Sequence, residues 1–383
     1  MTASQWRILG LASIGLPALL LTACSGQTSN PLFAAEVVEA PASAWASTGL
    51  PYGGLEDQGK TWRLSFRGYS VSLPATDPTW TKAANLQSGD ETPKLELSTA
   101  GATSDSGIFQ LTPPGGQSQV WELTSEGEWR KIGAGVTQIA LADVTGHLVT
   151  WVEGVADDAK KGKESKVVAY DTESGEIVGS LEGREVQGSF IRVMAVNANS
   201  IVVQGVEDFE GSRWSRNYLW NPQSLELTEF TDAEPEDVVT VTDYDEKSGS
   251  RIVLSFSRPS WLAGPEGSVE IGGFGFGQFN SDATQVITEG FGLAKLLDTR
   301  TNTPIKLDIP ISDQDSFVPG AFAWTADDRL AVIGAIADEQ QQAYICTPGT
   351  GTCEELGTEY LWFSSKENAA LGQFAYHDEP EGD

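Results

Sequence analysis

The chain has 383 residues, 40% of them hydrophobic, with 24 Lys and Arg against 54 Asp and Glu and a formal net charge of −30. That length and apolar content support either one large β architecture or two ordinary domains. The acidic excess argues against nucleic acid as a partner and against docking on anionic headgroups by charge; its plain meaning is a soluble surface.

From the N-terminus, Ile8 to Leu21 is an uncharged apolar run behind one basic residue, Arg7, and it is interrupted by Gly15 and Pro17. That is the shape of a secretory h-region rather than a spanning helix, and no later run reaches the length of a membrane span. The run closes on Leu21-Thr22-Ala23-Cys24, which resembles the bacterial lipobox, Leu-small-small-Cys. The resemblance implies a diacylglyceryl group on the Cys24 thiol and cleavage before it. Residues 1–23 are then a signal peptide, and the mature chain is held by lipid on the outer face of a cell membrane. Residues 24–60, rich in Ser, Ala, Pro and Gly, read as a flexible tether. Gly54 to Thr61 fits the P-loop pattern, but Pro51-Tyr52-Gly53 precedes it and the β-like Trp62 to Phe66 follows where a helix is needed. Glu56 and Asp57 oppose phosphate as well, so no nucleotide is expected.

From Trp62 onward, short β-branched or aromatic runs alternate with turn clusters. This predicts a nearly all-β body over residues 61–376 and an acidic tail over 377–383. The turns recur. Phe279-Asn280-Ser281-Asp282 leads into an apolar strand at Val286, and Trp324-Thr325-Ala326-Asp327 does the same at Leu330. Weaker copies turn at Asp143, Asn197 and Asp245, and the mean step of about 46 residues is close to the ~40–50 of a four-stranded propeller blade. A second hairpin type interleaves, at Val167 to Ile177, Tyr218 to Leu227, Leu296 to Leu307 and Cys346 to Cys353.

This pattern resembles bacterial lipoproteins of the actinobacterial type, whose body is a TolB-like or WD40-like β-propeller, and the resemblance covers most of residues 62–375. It implies a ring of about seven four-stranded blades, with six or eight as alternatives. The Trp-Asp dipeptide of true WD40 repeats is absent. Five repeats run from Val136 to Leu356, and a sixth fits between Leu95 and Ile132. A seventh is expected to close the ring from Trp62 to Leu73 together with Tyr360 to Phe363 and Ala369 to Tyr376.

Groups for chemistry are sparse. There are two His residues, His147 beside an inner turn and His377 in the tail, and the chain after residue 23 holds neither Gly-x-Ser-x-Gly nor His-Glu-x-x-His. Asp243-Tyr244-Asp245 starts like a calcium loop, but Lys247 and Ser248 stand where an oxygen ligand and a Gly belong, which makes it a solvated turn. Gly273 to Gly277 lacks a following helix and reads as close strand packing. No cofactor or metal is expected. Cys346 and Cys353 flank a Pro348-Gly349 turn and are expected to form a cross-strand disulfide, a two-thiol metal site being the alternative.

Antiparallel blades put the short turns on one face of the disc and the long connections on the other. Gly154 to Lys166, Glu207 to Asn217 and Ser257 to Ser268 are the long ones. They collect Lys160, Lys161, Lys163, Arg213, Trp214, Arg216, Arg258 and Trp261, a basic and aromatic group suited to capturing a protein or cell-envelope component. Binding without catalysis is the leading expectation. A glycan- or polyphenol-directed hydrolase or lyase, using carboxylates in the channel, is the alternative.

Overall fold

The computed structural model describes residues 32, 35–57, 59–76, 94–154, 164–188, 190–209, 212–230, 239–255, 259–265, 267–271, 277–290, 293–310, 317–336 and 340–357. Twenty-eight strands run through them, with two short 3-10 turns and no α-helix. They group into seven antiparallel blades. Blade one is β1 (Val37–Glu39), β2 (Tyr52–Glu56), β3 (Thr61–Phe66) and β4 (Tyr69–Pro74). Blade two is β5 (Glu96–Ala102), β6 (Ser106–Thr112), β7 (Ser118–Thr124) and β8 (Trp129–Val136), and blade three is β9 (Leu141–Ala142), β10 (Leu148–Glu153), β11 (Lys166–Asp171) and β12 (Glu176–Glu182). These two count as one eight-stranded sheet through the single pair Glu153 and Val136. Blade four is β13 (Phe190–Val196), β14 (Ile201–Phe209), β15 (Ser212–Trp220) and β16 (Leu227–Glu229). Blade five is β17 (Val239–Tyr244), β18 (Arg251–Ser255), β19 (Trp261–Gly264) and β20 (Gly267–Glu270). Blade six is β21 (Gly277–Phe279), β22 (Gln285–Gly290), β23 (Leu293–Asp298) and β24 (Thr303–Pro304), and blade seven is β25 (Phe317–Trp324), β26 (Leu330–Ile336), β27 (Gln340–Thr347) and β28 (Thr352–Glu355). Blades two to seven pair in chain order, first strand innermost.

The core lies between blades. Along β10, Leu148 and Val152 pack towards blade four while Val149 and Trp151 pack towards blade two; in β11, Val167 and Ala169 oppose Val168 and Tyr170 in the same way. A strand covered on both faces reads as a continuous apolar run, which is what Leu148 to Val152 is. Gly277 shows how close the blades come: a Cβ there would sit 2.8 Å from Ile252 Cγ2. Close packing is what Gly273 to Gly277 predicts; residues 273–276 of that stretch lie outside the described residues.

The first blade departs from the expected closure. Residues 37–56, assigned by composition to the tether, supply β1, β2 and the 3-10 turn Ala44–Thr48, whose Trp45 is fully buried. The P-loop-like Gly54 to Thr61 starts in β2 and ends in β3, in the hairpin that pairs Glu56 with Thr61. The C-terminal segments expected to complete this blade, and His377, lie outside the described residues, as does Cys24. The spatial order is β2-β3-β4-β1, so the blade takes all four strands from the N-terminal side. Among the described residues the ring therefore closes without a shared strand. One apolar cluster joins Leu64, Phe66 and Val71 of blade one, Ala100 and Phe109 of blade two, and Ala331, Ile333, Ala343 and Ile345 of blade seven. Arg329 of blade seven adds a bolt, donating from Nη2 to the Ser47 carbonyl at 3.0 Å.

The N-terminal segment is also pinned. Leu32 is fully buried, and its carbonyl accepts the indole N–H of Trp129 at 3.0 Å. Trp129 in turn stacks on Trp121, with centroids 5.0 Å apart. No helix in the described residues is long and apolar enough to cross a membrane.

Candidate functional site

All seven blades meet at one mouth of the central channel, on the short-turn face. The cavity there is about 220 Å³ and is lined by the ends of the inner strands and the turns that follow them: Ala100 to Ala102, Ala142 to Thr145, Val196 to Ala198, Asp243 to Lys247, Gln278 to Ser281 and Ala323 to Thr325, with Leu50 from blade one. Leu50 leads into β2, so the inner strand of blade one starts at the mouth where the others end.

Two local devices shape this rim. A β-bulge interrupts the inner strand of blades two, four, five and seven, between Leu97 and Thr99, Val193 and Ala195, Val241 and Asp243, and Pro319 and Ala321. The extra residue lies four before the last paired residue in blades two and seven and two before it in blades four and five, and in each it adds twist to the strand as it nears the mouth. The turns then close on their own side chains. The Thr325 hydroxyl donates to Asp327 and accepts from the Arg329 amide, and the Asn280 amide group donates to Asp282 while its oxygen accepts from Gln285 N–H. Asp282 and Asp327, the pair that revealed the repeat, occupy equivalent turns. Thr103 and Asp105 form a further copy.

The mouth is acidic, but its acids already have partners. Buried Asp243 accepts from its neighbour Tyr244 N–H and from Phe279 N–H of blade six, both at 2.8 Å, which corrects the solvated-turn reading at Asp243; Asp245 does close an exposed turn, accepting from Lys247 N–H and Ser248 N–H. Glu246 reaches blade four, accepting from Asn199 N–H and Nδ2 at 3.0 Å and from the Ser200 hydroxyl. Asp143 Oδ1 accepts from the amide and hydroxyl of Thr145. Asp328 binds Ser281 across the blade six to seven gap in the manner of Glu246. The alternation of tight turns showed that these acids would gather at one face; it did not show that each would be fastened to the neighbouring blade.

Beside the mouth, His147 joins blades two and three. Its Nδ1 lies 3.1 Å from Ser104 Oγ and 3.5 Å from Asp105 Oδ2, with Glu173 3.9 Å from Nε2. A Ser-His-Asp relay needs hydroxyl and carboxylate on opposite ring nitrogens. Here Ser104 and Asp105 share one. Burial pushes the Asp105 carboxyl up, but hydrogen bonds from Thr172 and Thr103 and the charge of His147 outweigh it and leave it below the usual range. Deeper in the same interface, fully buried Glu122 accepts from Ser106 Oγ at 2.7 Å, Arg130 Nε at 2.6 Å and Tyr170 Oη at 3.2 Å. Burial and the Glu122 charge push the Tyr170 hydroxyl up to about 12. Among the described residues no group of three or more His, Cys, Asp or Glu is arranged to hold a metal ion.

The residues expected on the opposite face are placed differently. Lys160, Lys161, Lys163 and Arg258 lie outside the described residues. Glu207 to Asn217 is not a loop: the backbones of Arg213 and Trp214 continue β15, in register with Asp208 and Glu207. Arg216 is exposed and ion-paired with Glu229. Within Ser257 to Ser268, residues 261–264 and 267–268 are strand, and Trp261 sits in β19 opposite Val253 and Glu270, half-buried. Trp261 lines a cavity of about 270 Å³ with Phe230 and Arg251, so it packs between blades instead of standing out as an anchor. The run Trp261-Leu262-Ala263 is only three residues long between Pro259-Ser260 and Gly264-Pro265, and so read as part of a loop. Cys346 and Cys353 are disulfide-bonded across β27 and β28.

No protein-family model matches the chain, and no curated protein matches it in sequence. Solved structures do match. The β-propeller domain of the Trilobed protease from Pyrococcus furiosus, described as having an open velcro topology, aligns at a TM-score of 0.51 and 10% identity over 85% of this chain and 96% of its own. This chain is a β-propeller. An acylaminoacyl peptidase from Pyrococcus horikoshii gives a TM-score of 0.51 at 13% identity over 85% of this chain and 52% of its own. A prolyl endopeptidase gives 0.50 at 11% over 84% and 49%. The propeller thus spans about half the length of those two peptidases.

Proposed function

We propose that this propeller is a binding module that takes a small group of its partner, a side chain or a comparable ligand fragment, into the channel mouth on the short-turn face. It works outside the cell, anchored through a lipid on Cys24. The observation that carries the reading is the 220 Å³ mouth walled by every blade, whose acids Asp243 and Glu246 are engaged by neighbouring N–H and O–H donors. A carboxylate fastened in that way positions blades; it is a poor proton carrier. The mouth also replaces the opposite face as the favoured surface, since Trp261 is half-buried and Arg216 is paired.

The peptidase neighbours favour a second reading, an extracytoplasmic hydrolase or lyase using mouth carboxylates. Asp143 and Asp243 would then carry it, and replacing either by Asn would abolish turnover of glycan oligomers or peptide anilides seen with the wild type. The binding reading expects no turnover to abolish.

Photo-crosslinkers placed singly at Ala198, exposed at the mouth, and at Arg216, exposed on β15, separate the surfaces on intact cells. A discrete crosslinked partner from 198 and none from 216 is expected. Partner capture from 216 alone would overturn the assignment of the face.

A further inference from the structure

The pinning of Leu32 sets how far the propeller can stand from its anchor. We infer that the rim of blades one and two is the membrane-proximal side of the molecule and that blade five is the distal side; the inference rests on the lipid anchor at Cys24 proposed above. Eight peptide steps separate Cys24 from Leu32. Fully extended they reach at most ~29 Å, and as a random chain about 16 Å on average. The composition-based tether of residues 24–60 would have allowed far more. The structure removes that slack, because Leu32 is buried and its carbonyl is held by Trp129 on β8, the outer strand of blade two. Residues 37–39 then run as β1 along the outer edge of blade one. The chain therefore leaves the body at this rim. A seven-bladed ring places blade five across from it.

The partner of the rim is the bilayer, brought there by chain length and not by charge. Glu36, Glu39, Glu126 and Glu128 stand near the exit beside the exposed Arg67 and Lys131, so the described residues there carry no net positive charge for anionic lipid. Val38 on β1 is 48% exposed and Val269 on β20 of blade five is 49% exposed, giving two equivalent reporters on opposite sides of the ring.

The test uses the full lipidated protein in vesicles of phosphatidylcholine and phosphatidylglycerol carrying a rhodamine headgroup lipid. Val38→Cys and Val269→Cys each supply the single free thiol, Cys346 and Cys353 being bonded to each other. Energy transfer from a donor at 38 should be several-fold greater than from 269. Equal transfer, or more at 269, overturns the inference. Inserting a ten-residue Gly-Ser segment after Gly26, which leaves the body untouched, should reduce transfer at 38; no change would also overturn it. Mass analysis of the N-terminal peptide keeps the two ideas apart. An unacylated Cys24 refutes the anchor itself, whereas an acylated Cys24 with equal transfer refutes only the orientation.

Discussion

Ala283 and Asp328 follow Asp282 and Asp327 in the inner turns of blades six and seven, and both hold positive φ, 53° and 59°. Propeller turns of this kind favour Gly at that place, since a Cβ in the left-handed region costs ~1 kcal/mol. Ala283→Gly should therefore raise stability by about 0.5 kcal/mol, the lost methyl contact taking back part of the gain. Asp328→Gly should do the reverse and cost about 1 kcal/mol, because its carboxylate holds Ser281 N–H and Oγ at 2.8 Å. Urea denaturation of the two variants measures both signs. A second residue effect depends on pH. Asp105 is depressed in the folded state, so the stability it adds is present at neutral pH and is lost as pH falls through its folded value, beginning near the usual ~4 of a free carboxyl. Asp105→Asn should flatten the fall in melting temperature between about pH 5 and about pH 3 relative to wild type; an unchanged slope would assign acid sensitivity elsewhere.

At the scale of elements, the blades were legible where both strand faces are buried. Leu148 to Val152 and Leu330 to Ile333 announce themselves as apolar runs, and the Asp turns mark their starts, so blades two to seven fall where the spacing put them. Blade one was not legible. Val37–Glu39 and Tyr52–Glu56 are short, and their flanks are rich in Ala, Ser, Gly and Pro, so local composition spoke for a tether while tertiary packing of Trp45 and Tyr52 decided otherwise. The same weakness hid β19 and the extended β14–β15 hairpin, whose loss removes most of the expected loop face. The mouth was half legible. Turn spacing located it, but the Glu246 and Asp328 links across blades join residues too far apart in sequence to be read without the fold. The disulfide was legible, because Cys346 and Cys353 bracket a two-strand turn. Cys353→Ser should lower stability by roughly 2.5 kcal/mol from loop entropy alone, and the loss should vanish when wild type is compared under reducing conditions. Equal stability of the oxidised wild type and the variant would contradict this.

For the whole molecule, closure rests on packing between blades seven and one and on few polar ties. Arg329 is one, with Nε on Asp327 at 2.8 Å as well as Nη2 on Ser47. Arg329→Ala should cost about 1 kcal/mol and speed hydrogen exchange in residues 44–50 before any other part of the ring opens. A ring closed by packing can also open as a unit at that seam, which makes the first blade the place where local opening starts. Binding is proposed at the mouth, where Ala198 sits with its backbone beside Gly146 of blade three. Ala198 is exposed on the rim, so Ala198→Trp fills the opening while the body keeps its melting temperature. The decisive measurement is the affinity of the partner recovered by crosslinking from the mouth for wild type and for Ala198→Trp. A loss of tenfold or more, about 1.4 kcal/mol, with unchanged folding is the predicted result; equal affinity would show that the mouth is not where this propeller binds.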